Sequence, residues 1–288
     1  MNDSMNRRTF TALLLSGAPC AALAQAQQAP AMAGRKLDFR IGDDFKAAQA
    51  DIIAVLRSAG ESIWQHCPNT RWEVPGFFIF HSTESPITVF DHRADGRIAI
   101  GLTSQGNLWS QFAYQFSHEF CHALAGHSND WKKTWTKGRK ANHWLEESLC
   151  ETASLFAMRT MSESWKTKPP YPNWKSYSEA LKTYASDRIT AASAGLPAGA
   201  TFIDWLKANE ASMREKSTLR EKNNVVAIQL LPLFEAEPTG WEAVTFFNLT
   251  KRAPENTLAG HLAEWSAAAP LAQRPFIAKL AATLGVKL

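Results

Sequence analysis

The sequence predicts an α+β fold in which a small sheet is followed by helices, and three observations predict it. Three short β-rich runs, Phe77–Phe80, Ile87–Phe90 and Arg97–Leu102, lie close together and are punctuated by Pro and Gly. From Asn107 onward almost every periodic stretch has helical spacing. Hydrophobic residues make up 45% and charged residues 20% of the 288 positions, a composition able to build a core without disulfide staples. The same numbers exclude a disordered or fibrous chain. A formal net charge of only +4, with no block of like charges, argues against a nucleic-acid partner. No apolar run reaches the ~18 residues that would span a membrane.

Taken in order, residues 1–24 read as an export signal. Arg7 and Arg8 form a positive start, Phe10 to Ala18 is a short apolar stretch, and Ala22-Leu23-Ala24 supplies a small-x-small cleavage site. The two arginines followed by Thr9 and Phe10 resemble the twin-arginine pattern, although Asn6 and Thr11 depart from it. The mature chain is therefore expected in the periplasm or outside the cell, cleavage leaving Gln25 first. Residues 25–40 read as a loose leader. Asp43 to Trp64 has helical spacing through Phe45, Ala48, Ile52, Ile53, Val55, Leu56 and Ile63. Ala94-Asp95-Gly96 reads as a hairpin turn between the second and third β-rich runs. Helices are expected at about 107–125 and 144–158, the second with Asn142 as its N-cap. The Pro-rich stretch Trp165–Tyr177 is a loop. Further helices are expected near 177–187, 201–212, 218–235, 241–252, 257–267 and 273–284. The division is thus a sheet-bearing core over 41–160 and a helical lobe over 161–288.

The stretch Phe116-Ser117-His118-Glu119-Phe120-Cys121-His122 carries the chemistry. His118 and His122 are four apart on one helix, so they project from one face a turn apart and can share one ion. Glu119 then lies beside the metal rather than on it. This is the H-E-x-x-H arrangement, in which Glu takes a proton from a zinc-bound water. Phe112, Phe116, Phe120 and Leu124 can bury the helix. Catalytic zinc needs a third protein ligand and an open position. The next helix offers Glu147 and Glu151 at i, i+4, one to bind metal and the other to orient a ligand histidine through its free N–H.

Here the sequence resembles the gluzincins, the thermolysin-like zinc peptidases, over about 75 residues from the sheet through Met158. Their third ligand is a Glu inside a Trp-Leu-Asn-Glu-Gly type segment. Trp144-Leu145-Glu146-Glu147-Ser148 matches it, with Glu146 for Asn and Ser148 for Gly. The resemblance implies that 41–160 is a zincin-like catalytic core with His118, His122 and Glu147 holding one Zn2+, Glu119 as general base and Glu151 behind a ligand histidine. It implies a peptide or protein substrate, cell-wall peptide included, bound as an extra strand on an edge strand just before the zinc helix, the place of Arg97–Thr103. It also implies an oxyanion donor from the helical lobe. Tyr184 is the first choice, with Tyr177, Tyr171 and His143 as alternatives. The metzincin pattern fits worse, since Gly126 and His127 are out of register with it. No Gly-x-Met-Glu-Asn segment is present, so an endopeptidase is expected over an aminopeptidase. A non-catalytic exported zinc-binding or peptide-binding protein of the same fold is the alternative.

Softer signals have bland readings beside the functional ones. Cys121 and Cys150 neighbour the proposed ligands and either form a disulfide or pack as small buried groups. Trp131, Trp135 and Trp144 either stack on cell-wall sugars or pack a junction, and packing is the stronger reading. His66, His81, His92 and His261 stand alone and read as ordinary residues.

Overall fold

The computed structural model describes residues 36–42, 44–69, 76–90, 93–126, 141–249 and 256–288. The export signal, His92, His127, Trp131 and Trp135 lie outside the described residues. Among those described, four strands and nine helices follow one another, the strands first apart from one helix between the first two.

Strand β1 (Phe39–Ile41) leads into helix α1 (Gln49–Trp64) and strand β2 (Phe77–His81), which runs parallel to β1. Leu37 and Phe39 are buried within the stretch expected to be loose leader, so the packed chain begins earlier than the sequence suggests. Three residues are too short for periodicity to reveal a strand. Helix α1 starts later than expected because Lys46 takes a φ of 56° and Ala48 is extended, which blocks a helix from running through them. Strands β3 (Ile87–Val89) and β4 (Ile98–Leu102) form the expected antiparallel pair, with Gly96 at a φ of +80° in the turn. The sheet order is β1-β2-β4-β3, with β2 and β4 parallel.

This order corrects one expectation. The Arg97–Thr103 segment is interior, flanked by β2 and β3, because β3 folds back over it and leaves its own far side as the edge. Gly101 lets β3 approach: a Cβ there would stand 2.8 Å from the Phe80 ring and 2.9 Å from the Ile87 side chain.

Helix α2 (Trp109–Gly126) packs its aromatic stripe against the sheet side of the core. The Phe116 ring meets those of Phe39 at 5.4 Å and Phe77 at 5.7 Å, and Phe120 meets Phe77 at 5.7 Å. Helix α3 (His143–Ser164) is buried along most of its length and so has no marked apolar stripe. Its buried hydroxyls fold back on the helix: Ser148 donates to the Trp144 carbonyl and Thr152 to the Ser148 carbonyl, each at 2.8 Å. Asn142 caps by position only, its amide donating instead to the Asn256 carbonyl at 2.9 Å.

Helices α4 (Tyr177–Ser193), α5 (Phe202–Glu215) and α6 (Arg220–Ala236) pack on α3, and α4 also meets α2, the Tyr114 and Tyr184 rings lying 5.6 Å apart. The short α7 (Trp241–Val244), then α8 (Leu258–Ala268) and α9 (Arg274–Thr283), complete the order. Helix α3 crosses the division expected at residue 160, and a single buried cluster joins sheet and helices. Of the helix expected over 241–252, the described residues form one turn, and 250–252 lie outside them. No helix among the described residues is long and apolar enough to cross a membrane.

Candidate metal centre

Helices α2 and α3 pack side by side, and the facing turns bring His118, His122 and Glu147 together. His118 Nε2 lies 3.4 Å from Glu147 Oε2, and His122 Nε2 lies 3.7 Å from Glu147 Oε1. Both histidines are buried, and the Glu147 side chain is 14% exposed. Ligands about 2.0–2.1 Å from a tetrahedral ion stand about 3.3 Å apart, so these separations suit a shared ion. Two imidazoles and a carboxylate are also the donor chemistry that zinc accepts. The cluster is therefore able to bind a metal ion.

Behind each histidine stands a different carboxylate. His122 Nδ1 is 3.0 Å from Glu146 Oε1, while Glu146 Oε2 accepts from the Asn248 amide at 3.1 Å. His118 Nδ1, buried and without a hydrogen bond, is 3.6 Å from Glu151 Oε1. Glu151 also accepts from the Tyr114 hydroxyl and pairs with Arg220 Nε at 3.1 Å. Glu151 thus stands behind His118 without a hydrogen bond to it. Glu146 goes unnoticed in the sequence because the segment match treats it only as a replacement for Asn. The signal available was an acid between Leu145 and Leu149, two residues destined for the core, which needs a partner.

Charge is set by this geometry. Burial alone would lower His118, but Glu151, Glu147 and Glu119 outweigh it and hold the imidazole above its ordinary value. His122 is raised further, burial again opposing, by Glu147 and by its bond to Glu146. Glu147, although burial pushes the other way, is held far below the usual carboxylate range by His122 and His118. Burial, with Glu151 beside it, pushes the Tyr114 phenol well up.

Glu119 is buried on the same helix turn as His118 and lines the same cleft. The Thr88 hydroxyl, from strand β3, sits 2.8 Å from Glu119 Oε2 and 2.9 Å from the Glu119 carbonyl oxygen. The cleft holds about 650 Å³ and is walled by β3 and the residues before it on one side, and by Tyr184, Arg188 and Arg220 on the other. Among the described residues β3 pairs only with β4, and Ile87 is 46% exposed beside the cleft.

Of the four oxyanion donors considered, Tyr184 and His143 line the cleft. The Tyr184 hydroxyl accepts from Arg188 at 2.8 Å. Tyr177 instead accepts from the Ser110 amide at 3.3 Å, and Tyr171 packs edge-on against Trp174. No described tryptophan lines the cleft, while Trp144, Trp165, Trp241 and Trp265 are fully buried, as packing predicts. Cys67, Cys121 and Cys150 are all buried, and none is in a disulfide. Cys121 and Cys150 are thus not joined, and burial, with Cys121 beside it, pushes the Cys150 thiol up. His66, His81 and His261 lie outside the cleft lining.

No protein-family model, curated protein or solved structure matches the chain.

Proposed function

We propose that the chain is an exported, thermolysin-like zinc metallopeptidase that hydrolyses peptide bonds, with one zinc ion held by His118, His122 and Glu147. The observation that carries this reading is Glu119. An acid that only filled space would not be buried, tied by a hydroxyl at 2.8 Å and set on the wall of a cleft beside three metal donors. Zinc supplies Lewis acidity, which polarises a carbonyl and brings the pKa of a water down to about 7.

The chain's own groups have the remaining roles. Glu119, steadied by Thr88, accepts a proton from the attacking water at its carboxylate and delivers it to the leaving nitrogen. Tyr184 accepts from Arg188 and so keeps its own proton to donate to the developing oxyanion. The open side of β3 suits an extended peptide, which would pair with it as a further strand. Glu146 and Glu151 orient the two histidines. The signal-like residues 1–24 support action outside the cytoplasm, on a protein or on cell-wall peptide.

Glu119→Gln is the test. The variant is expected to retain about one zinc per chain by elemental analysis and to lose hydrolysis of casein and of peptidoglycan in zymograms. Hydrolysis at the wild-type rate by Glu119→Gln would remove the proposed mechanism. A non-catalytic zinc-binding protein is the second reading, and one observation favours it: His143 stands close enough to Glu147 to offer a fourth donor, as closed structural sites have.

A further inference from the structure

Three histidines, not two, surround Glu147. His143 opens helix α3 four residues before Glu147, so the two side chains share a face. Its Nε2 lies 3.6 Å from Glu147 Oε1, about the same separation as those of His118 and His122 from the same carboxylate. Donor atoms of His122, His143 and Glu147 all fall within 4.8 Å of one another. The His143 and His122 rings are 6.2 Å apart.

The three imidazoles also share an orientation. Each turns Nε2 toward Glu147 and Nδ1 toward an oxygen behind it. For His122 that oxygen is on Glu146 at 3.0 Å, for His118 on Glu151 at 3.6 Å, and for His143 it is the Ser217 hydroxyl at 3.1 Å. An oxygen partner within hydrogen-bond distance of the rear nitrogen, which His122 and His143 have and His118 does not, is the usual support of a metal-binding histidine, since it fixes the tautomer and aims the ring. Glu147 presents Oε2 to His118 and Oε1 to His122 and His143, and so sits at the middle of the set.

We infer that His143 is a fourth protein ligand, so that the resting centre is a three-histidine, one-carboxylate site. The inference rests on the metal-binding reading above and alters the resting state of that centre. Zinc is usually four-coordinate in protein sites, and four protein donors leave no open position at rest. The fourth donor is tied to the helical side of the cleft. Ser217 lies between α5 and α6, and its carbonyl accepts from the Asn223 amide at 2.8 Å. The same helical wall that faces a substrate thus holds the residue that closes the centre.

The experiment uses the full mature protein loaded with cobalt(II), because zinc has no d–d spectrum. His143→Gln keeps a side chain able to bond Ser217, and far-UV circular dichroism checks that it folds. The expected result is cobalt affinity lower by about tenfold or more, a visible band of changed position and intensity, and a band that now responds to added acetohydroxamate. The wild-type band should not respond to it. Zinc-edge X-ray absorption of the wild type supplies an independent measure, with three imidazoles expected rather than two. Wild-type affinity and spectrum in His143→Gln, or two imidazoles at the zinc edge, would overturn the inference and leave a three-ligand centre standing. A wild-type protein that takes up neither cobalt nor zinc would overturn both.

Discussion

The two histidines of the H-E-x-x-H turn are held in unlike ways. Behind His122, Glu146 is fully buried, makes a 3.0 Å contact and is itself fixed by Asn248. Behind His118, Glu151 stands at 3.6 Å and is shared with Tyr114 and with Arg220, whose side chain is 58% exposed. One support is fully buried and within hydrogen-bond distance of His122, with His143 Nε2 4.0 Å from its other oxygen. The other divides its oxygens among three partners and reaches the cleft. The comparison teaches that equal spacing in the sequence does not give two histidines equal support: His122 has a carboxylate at hydrogen-bond distance and His118 a more distant, shared one.

The largest expected effect removes what the two histidines share. Glu147→Ala should take the metal content from about one ion per chain to none after dialysis, read by elemental analysis. Next in size, Glu146→Gln should weaken zinc binding by about 10–100-fold in competition with a chelating dye. Glu151→Gln should cost less than about tenfold, because its contact to His118 is longer and Arg220 loses a partner near solvent instead. Equal losses in the two variants would erase the distinction, and a larger loss in Glu151→Gln would invert it.

The smallest effect is on metal-free stability, and the shifts give its sign. His118 and His122 are raised, so their contribution is complete below the ordinary histidine value of 6.5 and fades as pH climbs through their folded values. Glu147 is lowered, so its contribution is complete above the ordinary carboxylate value of 4.5 and fades in stronger acid. Both are present together between about 4.5 and 6.5, and the metal-free protein should melt highest there. Metal must displace protons from the histidines, so zinc affinity should rise with pH and uptake should release protons. Calorimetry in buffers of different ionisation enthalpy would read that release. Zinc affinity that falls between pH 5 and about 7 would contradict the assignment.

Most of the helices and the antiparallel pair were legible because periodicity and turn chemistry report local structure. The order of the strands was not. Whether Arg97–Thr103 is edge or interior depends on where β3 returns, a pairing that no local pattern encodes. At the centre, His118, His122 and Glu119 could be read from one turn of helix and Glu147 and Glu151 from another. Glu146, Asn248, Thr88 and Ser217 could not, since each acquires its role only by meeting a residue far off in the chain. The Cys121–Cys150 pair shows the same limit in reverse. Sequence brought the two thiols near each other, yet whether they bond depends on geometry.

Thr88 links two things that are usually considered apart. It belongs to the strand whose open side lines the cleft, and its hydroxyl holds both the side chain and the carbonyl of Glu119. Any guest that extends the sheet there would also stiffen the tether on Glu119. Recognition and proton transfer would then be one mechanical event, with a single hydroxyl as the joint between them.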